Sequence, residues 1–454
     1  MQNENLKTAE ILNQYLSEKK AAKAREALAN LLPVDISEIL QSDFLDKKLF
    51  PVAFRLLSKD IAAQTFVELD AQNQEALILS FSDFELNQMF DELFVDDAVD
   101  IIEEMPANVV RRIIKNCDKQ MREHINKILE YPSDSAGSIM TPEYIYLHKN
   151  MSVDDAFNII RHAGLDSETV YTCYVVSKSH RLLGVVTVRQ LLLAEQGKTI
   201  SEIMEENIIY VETHTDKEEV AKLFDKYDFL AFPVVDKEKR LVGIITVDDA
   251  IDVIRDEATE DFSKMAAVAP IEESYFSASV FKHAKNRIIW LIILMVSAMI
   301  TGGIITAYQE TFILYPLLIA CLPMLMSTGG NCGAQTSTMI IRGMATDEIR
   351  PRDAIKVWFK EIRISLLVGV ALAIINFARI LFVHGFLEIQ LALTSSLAII
   401  FTVCLAQTLG CLLPIAAKSL KLDPAIMASP LITTIVDALS VMVFFGIATW
   451  IFNI

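Results

Sequence analysis

AIMASPLITTIVDALSVMVFFGIATWIFNI, residues 425–454, is an almost wholly apolar run that carries one carboxylate, Asp437. The run is long enough for an α-helix to cross the hydrocarbon core of a bilayer, which takes about 20 residues. A carboxylate at that depth costs about 2.5 to 3.5 kcal/mol on insertion scales, and it is retained mainly where it faces water, an ion or a partner. Asp437 therefore indicates an ion pathway through a membrane.

Further apolar segments of membrane-spanning length precede this run. The predicted spans are residues 286–308, 311–341, 362–385, 391–419 and 424–452. Five spans place the two ends of the membrane domain on opposite sides of the bilayer.

Basic residues are unevenly distributed among the loops that join these spans. They lie before the first span, around the loop from the second to the third, and between the fourth and the fifth: Lys282, Lys285, Arg287, Arg342, Arg350, Arg352, Lys356, Lys360, Arg363, Lys418 and Lys421. The other two loops have none, and Arg379 in the outer part of the third span is the exception. The positive-inside rule therefore predicts a cytoplasmic N-terminal part and a C-terminus outside the cell membrane.

The part before the first span is strongly acidic. Residues 1–280 hold 51 of the 59 acidic and 29 of the 41 basic residues, a net charge of −22, whereas residues 281–454 have a net charge of +4. Such a surface repels nucleic acid and attracts cations. The N-terminus has no basic region followed by an apolar core, so we expect no secretory signal and a soluble part that stays in the cytoplasm.

An internal repeat with an offset of 59 residues occupies the segment 133–262. YVV at 174–176 and RLLGVVTV at 181–188 match PVV at 233–235 and RLVGIITV at 240–247. Each copy reads as an amphipathic helix, a strand, a polar turn, a strand and a second helix, and the first helices are predicted at 153–163 and 217–227. The repeat resembles a tandem pair of CBS domains, a regulatory module that commonly binds adenine nucleotides between its copies.

The second copy holds the complete motif GIITVDD at 243–249. In a nucleotide site, the Thr246 hydroxyl would meet a phosphate, and Asp249, with Asp252 nearby, would meet a ribose diol. The first copy has Gln190 where the second has Asp249, which argues against two equivalent sites. Alternatively, Thr246 and Asp249 only cap the helix that follows them.

Residues 1–131 predict a stack of short helices interrupted by prolines. The sequence has no glycine before Gly137. VDDAVD at 95–100 places Asp96 and Asp100 on one helix face, with Asp97 beside them. Like charges at that spacing repel each other, so the group is either a solvated acidic helix or a cation site.

More carboxylates follow in the second copy and in the helix predicted to connect it to the membrane. They are Asp216, Glu218, Asp228, Asp248, Asp249, Asp252, Asp256, Glu257, Glu260 and Asp261. Hard divalent cations prefer such oxygen ligands, and Mg²⁺ needs only one or two carboxylates because it keeps several waters. The dispersed spacing favours weak bridging sites over one dedicated cage, and no DxDxDG calcium loop is present.

The second span contains PMLMSTGGNCGAQTST at 323–338. The glycines Gly329 and Gly330, together with Asn331 and Gln335, are predicted to contribute to the pore and its selectivity. Close helix packing by itself would also explain the small residues. Asn331 and Gln335 are not explained by packing, because amides at membrane depth need polar surroundings such as a hydrated path.

The architecture and these motifs together resemble the MgtE family of magnesium channels and transporters over nearly the whole chain. The stretch 323–335 matches the family pattern PxLxxTGGNxGxQ, and the residues DPA, PL, TT and D between 423 and 437 match its last-span pattern. The implied fold is a multidomain membrane protein. It comprises an all-α cytoplasmic N domain at 1–131, an α/β CBS pair at 132–262, a connecting helix at 263–285 and a five-helix transmembrane pore domain at 286–454.

The resemblance also implies a function, Mg²⁺ uptake by a homodimer in the plasma membrane. Asp437 of each subunit would hold hydrated Mg²⁺, with oxygens from Thr433 and Ser429 nearby, although Ser429 stands where relatives commonly have Asn. Cytosolic Mg²⁺ would close the pore by bridging carboxylates, and ATP would modulate it from the CBS pair. The implied regulatory ligands are Asp96, Asp97, Asp100, Asp216, Glu218, Asp228, Asp249, Glu257, Glu260 and Asp261.

Two other classes of protein explain part of the sequence less well than a transporter does. A membrane-anchored sensor of nucleotide or Mg²⁺ accounts for the CBS pair, but it does not account for Asp437, Asn331 and Gln335 within spans. An enzyme is disfavoured because the sequence has no P-loop, HExxH or GxSxG motif and its seven histidines lack ligand spacing.

Overall fold

The computed structural model describes residues 2–164, 167–195, 197–270, 275, 278–308, 315–427 and 429–453, without the side chains of residues 2–4, His384 and Ser429. The chain divides into two compact units, Met1–Ile254 and Arg255–Ile454.

The first unit begins with a stack of short helices. They are α1 (Gln2–Ser17), α2 (Ala21–Leu28), α3 (Pro33–Leu40), α4 (Phe50–Phe54), α5 (Lys59–Val67), α6 (Ala71–Ser80), α7 (Asp83–Phe90), α8 (Val95–Glu104), α9 (Ala107–Asn116) and α10 (Lys119–Ile128). Proline and capping residues set their starts: Pro33 lies in the first turn of α3, and Ser82 caps α7 in a reciprocal box with Glu85. Their apolar faces share one core that includes Phe66 and Phe90.

In the part of the repeat that the structure describes, the strands form two three-stranded sheets. The elements are β1 (Tyr144–His148), α11 (Val153–Ala163), β2 (Thr169–Val176), β3 (Leu182–Thr187), α12 (Val188–Leu193), α13 (Ile200–Ile203), β4 (Val211–Glu212), α14 (Lys217–Tyr227), β5 (Ala231–Val235), β6 (Leu241–Thr246) and α15 (Val247–Met265). In each sheet the first strand pairs parallel to the second, and the second pairs antiparallel to the third. The first helices of the two copies, α11 and α14, have the predicted bounds.

The two copies exchange short segments of backbone. Thr141, which precedes β1, exchanges two backbone hydrogen bonds of 2.8 and 2.9 Å with Ile244 in β6. Conversely, Glu205, which follows α13, exchanges two of 2.9 and 3.0 Å with Val185 in β3. Each sheet is therefore completed by residues that flank the other copy.

Among its described residues, the second unit contains five helices long and apolar enough to cross a membrane. They are α16 (Val280–Ala307), α17 (Leu317–Ala345), α18 (Ala354–His384), α19 (Ile389–Ser419) and α20 (Ser429–Phe452). Helices α17, α19 and α20 supply most of the shared apolar core, whereas α16 and α18 expose broad apolar faces. This is the arrangement expected of helices whose outer faces meet lipid tails.

The predicted connecting helix at 263–285 is wrong as a single helix. Helix α15 ends at Met265, residues 266–270 are not helical, and α16 begins at Val280. Ala267 adopts a left-handed backbone with φ of 53°, and Pro270 follows three residues later. A left-handed residue and a proline both end a helix, so the acidic residues up to Asp261 belong to α15 alone.

Candidate ion pathway and acidic cluster

Asp437 lies in the middle of α20, the last membrane helix. Its side chain is partly buried, and its Oδ1 atom is buried without a hydrogen-bond partner in the described part of the chain. Thr433 lies one turn earlier on the same face, because residues four apart in a helix are neighbours. Ser429, a further turn away, has a side chain outside the described residues. The face therefore presents a buried carboxylate oxygen that is available to a ligand.

Glycines in α17 bring this helix against α20. A Cβ atom added at Gly330 would lie 2.7 Å from Thr433 Cγ2, and one at Gly329 would lie 2.9 Å from Val436 Cγ1 and 2.6 Å from Thr402 Cγ2 of α19. Those distances leave no room for a side chain. Gly329 and Gly330 are buried, and their lack of a side chain lets α20 approach α17 closely at Thr433.

Asn331 and Gln335 lie on the other side of α17. Both are exposed in the single chain, as are Ser327 and Thr338, which continue the same face at helical spacing. Asn331 Nδ2 donates to Ser327 Oγ at 3.5 Å, and neither amide hydrogen-bonds to Asp437 in the described structure. A polar face at membrane depth is costly against lipid, so water or a second chain is expected to cover it.

Three buried polar atoms on α19 and α20 were not anticipated from the sequence. Thr402 Oγ1, Gln407 Oε1 and Ser440 Oγ have no hydrogen-bond partner among the described residues. Ser440 and Thr402 both approach Gly329, at 3.0 and 2.6 Å from an added Cβ. Thr402 and Gln407 are polar residues in an apolar span, which was the only sequence signal for them.

A second group of carboxylates lies within the first unit. Asp96 of α8 is 8% exposed, and its Oδ1 has no partner in the described structure. Burial raises the pKa of Asp96 well above its ordinary value, and the charges of Asp249 and Glu168 add to the shift. Burial, with the charges of Asp249 and Asp248, likewise raises the pKa of Asp97 to about 7. Asp96 and Asp97 thus lie near Asp249, and we call Asp96, Asp97, Asp249 and Glu168 the acidic cluster.

Glu168 was missed by the sequence reasoning. It precedes β2, its Oε2 is buried without a partner in the described chain, and burial followed by the charge of Asp249 raises its pKa to about 8. Glu143 lies close by and accepts a hydrogen bond from the Val95 backbone N–H at 2.9 Å. Neither residue belongs to an acidic run, so only the fold brings them to the cluster.

The acidic cluster has no cation-binding geometry already assembled. Among the described residues, no three His, Cys, Asp or Glu side chains converge as metal ligands do. Asp100 lies on the exposed edge of α8. The cluster is therefore a site of concentrated negative charge whose ligands would have to draw together around a cation.

The remaining predicted ligands of the second copy have local structural contacts. Asp216 caps α14 by accepting from Glu218 N at 2.9 Å, and Glu218 pairs with Lys222 at 2.7 Å. Asp228 ends α14 in a left-handed conformation with φ of 53°. The structure does not bring these three residues together with the acidic cluster.

Thr246 and Asp249 form a reciprocal cap at the start of α15. Thr246 N and Oγ1 both donate to Asp249 Oδ2, at 3.3 and 2.5 Å. Gln190 does the same for Thr187 in the first copy, at 2.7 and 2.9 Å. The difference between Asp249 and Gln190 therefore leaves the capping geometry intact, while only Asp249 carries a charge. Asp252 is exposed on the next turn of α15.

The last turns of α15 belong to the second unit and contact it. Glu257, Glu260 and Asp261 are all partly buried. Lys264 Nζ lies 2.6 Å from Glu260 Oε1 and 2.7 Å from Asp423 Oδ2, just before α20. Partial burial lowers the pKa of Lys264, but its hydrogen bonds to Asp423 and Glu260 outweigh this and raise it. Met265 packs on a core formed by α17 and α19.

Membrane-length helices with a carboxylate on the last of them, together with a CBS pair, are features of a membrane transporter that carries a CBS module. Comparison with known proteins gives the family. A model described as a divalent cation transporter matches residues 322–447, the MgtE intracellular N domain matches 31–134, and the CBS domain matches 136–197 and 200–256. The chain belongs to the MgtE family of magnesium transporters.

Individual relatives agree with this assignment over most of the chain. The chain is 34% identical to a magnesium transporter MgtE of Thermus thermophilus, over 97% of this chain and 98% of the relative. It is 30% identical to one of Bacillus subtilis, over 96% and 95%. Among solved structures, the cytosolic domain of the Mg²⁺ channel MgtE in complex with ATP matches with a TM-score of 0.51 and 36% identity, covering 53% of this chain and 98% of that one.

Proposed function

We propose that this transporter is a Mg²⁺-selective channel for uptake, in which Asp437 binds the permeating ion. The observation that carries the proposal is the buried Oδ1 of Asp437 with no partner in the described structure. An unpaired carboxylate oxygen inside an apolar helix costs free energy unless a cation or water meets it. Thr433, one turn away, can add an oxygen, and Ser429 is proposed to do the same.

A second copy of the chain would complete the pathway. The exposed polar face of Ser327, Asn331, Gln335 and Thr338 needs a cover that lipid tails cannot supply. In a homodimer, this face and the two Asp437 carboxylates would surround a shared, hydrated path. Two negative charges on a symmetry axis attract a divalent ion more strongly than a monovalent one, and passage of hydrated Mg²⁺ avoids the cost of stripping its waters.

The orientation follows from the distribution of positive charge. The predicted cytoplasmic loops carry the Lys and Arg residues, so the N-terminal unit would lie in the cytoplasm and the C-terminus outside. The flux would then be driven inward by the membrane potential and the Mg²⁺ gradient.

Cytosolic Mg²⁺ is proposed to close the channel by binding to the acidic cluster, to Asp100, and to Asp216, Glu218 and Asp228. Repulsion among the carboxylates of the cluster favours a loosened form of the first unit, and bound cations favour the compact form. Glu257, Glu260 and Asp261 on α15 would bind further cations. The contact of Lys264 with Asp423 supports a mechanical role for α15, because Asp423 lies directly before the pore helix.

ATP is proposed as a modulator that binds at the CBS pair. The support is the relative whose cytosolic domain was solved in complex with ATP. Thr246, Asp249 and Asp252 are the proposed contacts. Because Asp249 also belongs to the acidic cluster, bound nucleotide and bound Mg²⁺ would influence each other.

The test is Mg²⁺ flux into liposomes that contain the purified full-length protein. We compare wild type with Asp437→Asn, which keeps the shape and removes the charge, at low internal Mg²⁺ where the gate is open. The matched control is Asp347→Asn, because Asp347 lies in an exposed loop after α17. We expect flux from wild type and the control. We expect the flux through Asp437→Asn to fall by at least about 100-fold, and each tenfold change corresponds to about 1.4 kcal/mol.

The alternative is a membrane-anchored sensor of Mg²⁺ or nucleotide that transports nothing. Absence of flux from wild type under conditions that release the gate would favour this alternative. Equal flux from wild type and Asp437→Asn, with both folded, would instead place the pathway elsewhere in the membrane unit.

A further inference from the structure

Arg379 is a cation on the lipid-facing side of α18. Its neighbours on the same helix face, Ile375 and Phe382, are 65% and 92% exposed, as expected of side chains that meet lipid tails. Arg379 precedes the last residue of α18, His384, by five positions, or about 8 Å along the axis. Its head group therefore lies near the boundary between lipid tails and headgroups, at the end that the proposed orientation places outside.

A buried polar network holds the guanidinium in place. Arg379 Nε and Nη2 donate to Asn376 Oδ1 at 3.2 and 2.9 Å. Asn376 is 4% exposed, and its Nδ2 donates to Ser395 Oγ at 2.9 Å and to Ser396 Oγ at 3.3 Å. Ser395 in turn donates to the Leu391 carbonyl at 2.9 Å. Such a network reduces the side-chain entropy that a ligand would otherwise have to remove.

The charge of Arg379 has no counter-ion in the described chain. Its hydrogen-bond partners among the described residues are the neutral amide of Asn376 and the sulfur of Met324, at 3.6 Å from Nη2. The guanidinium has five N–H donors, and the contacts to Asn376 use only two of them. A charge near the apolar region of a bilayer requires a partner, and the groups at that depth that match a planar, forked donor are lipid phosphates.

We propose that Arg379 binds the phosphate of an anionic lipid, on a site built by Asn376 and Ser395. An anionic lipid is favoured over a zwitterionic one because a headgroup ammonium would repel the guanidinium. The site is separate from the ion pathway, since α18 contributes neither Asp437 nor the polar face of α17. It goes beyond the transport function proposed above, and its binding can be measured without any flux.

The test counts lipids bound to the full-length protein by native mass spectrometry. The probes are phosphatidylglycerol and phosphatidylcholine, and the variants are Arg379→Gln, Arg379→Lys and Asn376→Asp. The matched control is Arg352→Gln, which removes an exposed arginine just before the other end of α18. Wild type is expected to bind phosphatidylglycerol at least about ten-fold more tightly than phosphatidylcholine, and Arg379→Gln to lose that preference.

The other variants separate a specific site from general attraction. Arg379→Lys keeps the charge but not the fork, so it is expected to retain only part of the preference. Asn376→Asp places a carboxylate where Asn376 Oδ1 now accepts from Arg379, so it is expected to abolish lipid binding while leaving the arginine in place. This variant tests the proposal even if Arg379→Gln does not fold.

Several results would overturn the proposal. One is an unchanged preference in both Arg379→Gln and Asn376→Asp, and another is an equal loss in Arg352→Gln, which would indicate charge attraction without a site. Complete displacement of phosphatidylglycerol by inorganic phosphate would assign Arg379 to an aqueous anion site. A changed assembly mass with unchanged lipid preference would assign it to a contact between subunits.

Discussion

At the scale of single residues, Asp96 and Asp437 share one physical condition. Each has a carboxylate oxygen that is buried without a hydrogen-bond partner among the described residues. Removing a charged oxygen from water is far more costly than removing a neutral one, so it is rarely tolerated without compensation. The two residues lie in different units, and the same compensation, a hydrated cation, is proposed for both.

For Asp96, the expected effect of a cation is on stability. Asp96→Asn removes the charge that a cation would neutralise, so the Mg²⁺-dependent rise in the melting temperature of the full-length protein should shrink. A site exposed to Mg²⁺ at one hundred times its Kd adds about 2.7 kcal/mol to the free energy of unfolding. Asp96→Asn is expected to lose most of the stabilisation that Mg²⁺ provides through the Asp96 carboxylate. Asp60→Asn, on an exposed position of α5, is the control. An identical Mg²⁺ response in wild type and Asp96→Asn would contradict the prediction.

The raised pKa values in the acidic cluster predict how the Mg²⁺-dependent rise in the melting temperature depends on pH. Asp97, with a pKa of about 7, and Glu168, with a pKa of about 8, bind protons more tightly when folded than when unfolded. Their contribution therefore favours the folded state at low pH and is lost as the pH rises from about 4 to 8. Protons and Mg²⁺ compete for the same carboxylate oxygens. Calorimetry should therefore find that Mg²⁺ raises the melting temperature more at pH 8 than at pH 5.5. The opposite order would exclude these carboxylates as the main ligands.

At the scale of secondary-structure elements, the glycines of α17 determine how closely α20 packs. Gly330→Ala would place a Cβ 2.7 Å from Thr433 Cγ2, so α20 or the Thr433 side chain has to move. Overpacking of this kind costs about 1 to 3 kcal/mol. We expect reduced Mg²⁺ flux in liposomes and a lower melting temperature.

Gly302→Ala is the control for this prediction, because nothing lies within 4 Å of a Cβ at Gly302 of α16. It should leave both measurements unchanged. If Gly330→Ala also conducts like wild type, the close approach of α17 to α20 is not required for conduction.

The sequence predicted the elements better than it predicted their ends and contacts. Hydrophobic length identified the membrane helices, but α18 begins at Ala354 rather than at the predicted residue 362, because its first turns are amphipathic and so lack a continuous apolar signal. Local patterns also selected the Asp96 group and Asp437 as candidate cation ligands, which remain predictions. Glu168 could not be predicted, since nothing in its own segment reveals that folding brings it near Asp249.

At the scale of the whole molecule, the proposed feedback depends on carboxylates in both units. Replacing Glu257, Glu260 and Asp261 with their neutral amides removes the carboxylates that are proposed to bind cations on the last turns of α15. We expect the variant to conduct Mg²⁺ with weaker inhibition by Mg²⁺ on the cytoplasmic side, measured as a several-fold higher concentration for half-inhibition. Unchanged inhibition would count against gating by α15.

Lys237→Gln is a suitable control for surface charge, since Lys237 lies in an exposed turn between β5 and β6. It should leave half-inhibition unchanged. A shift in the opposite direction to that of the triple variant, to a lower concentration for half-inhibition, would point to general surface electrostatics rather than to bridging cations.

The exchange of backbone segments between the two copies has a consequence for biosynthesis. Thr141 leaves the ribosome 103 residues before Ile244, the residue with which it pairs. At about 5 to 20 residues per second, its backbone waits about 5 to 20 s for that partner. The first copy thus cannot mature as an independent unit during translation, and a chain interrupted between the copies is left with open sheet edges on both fragments.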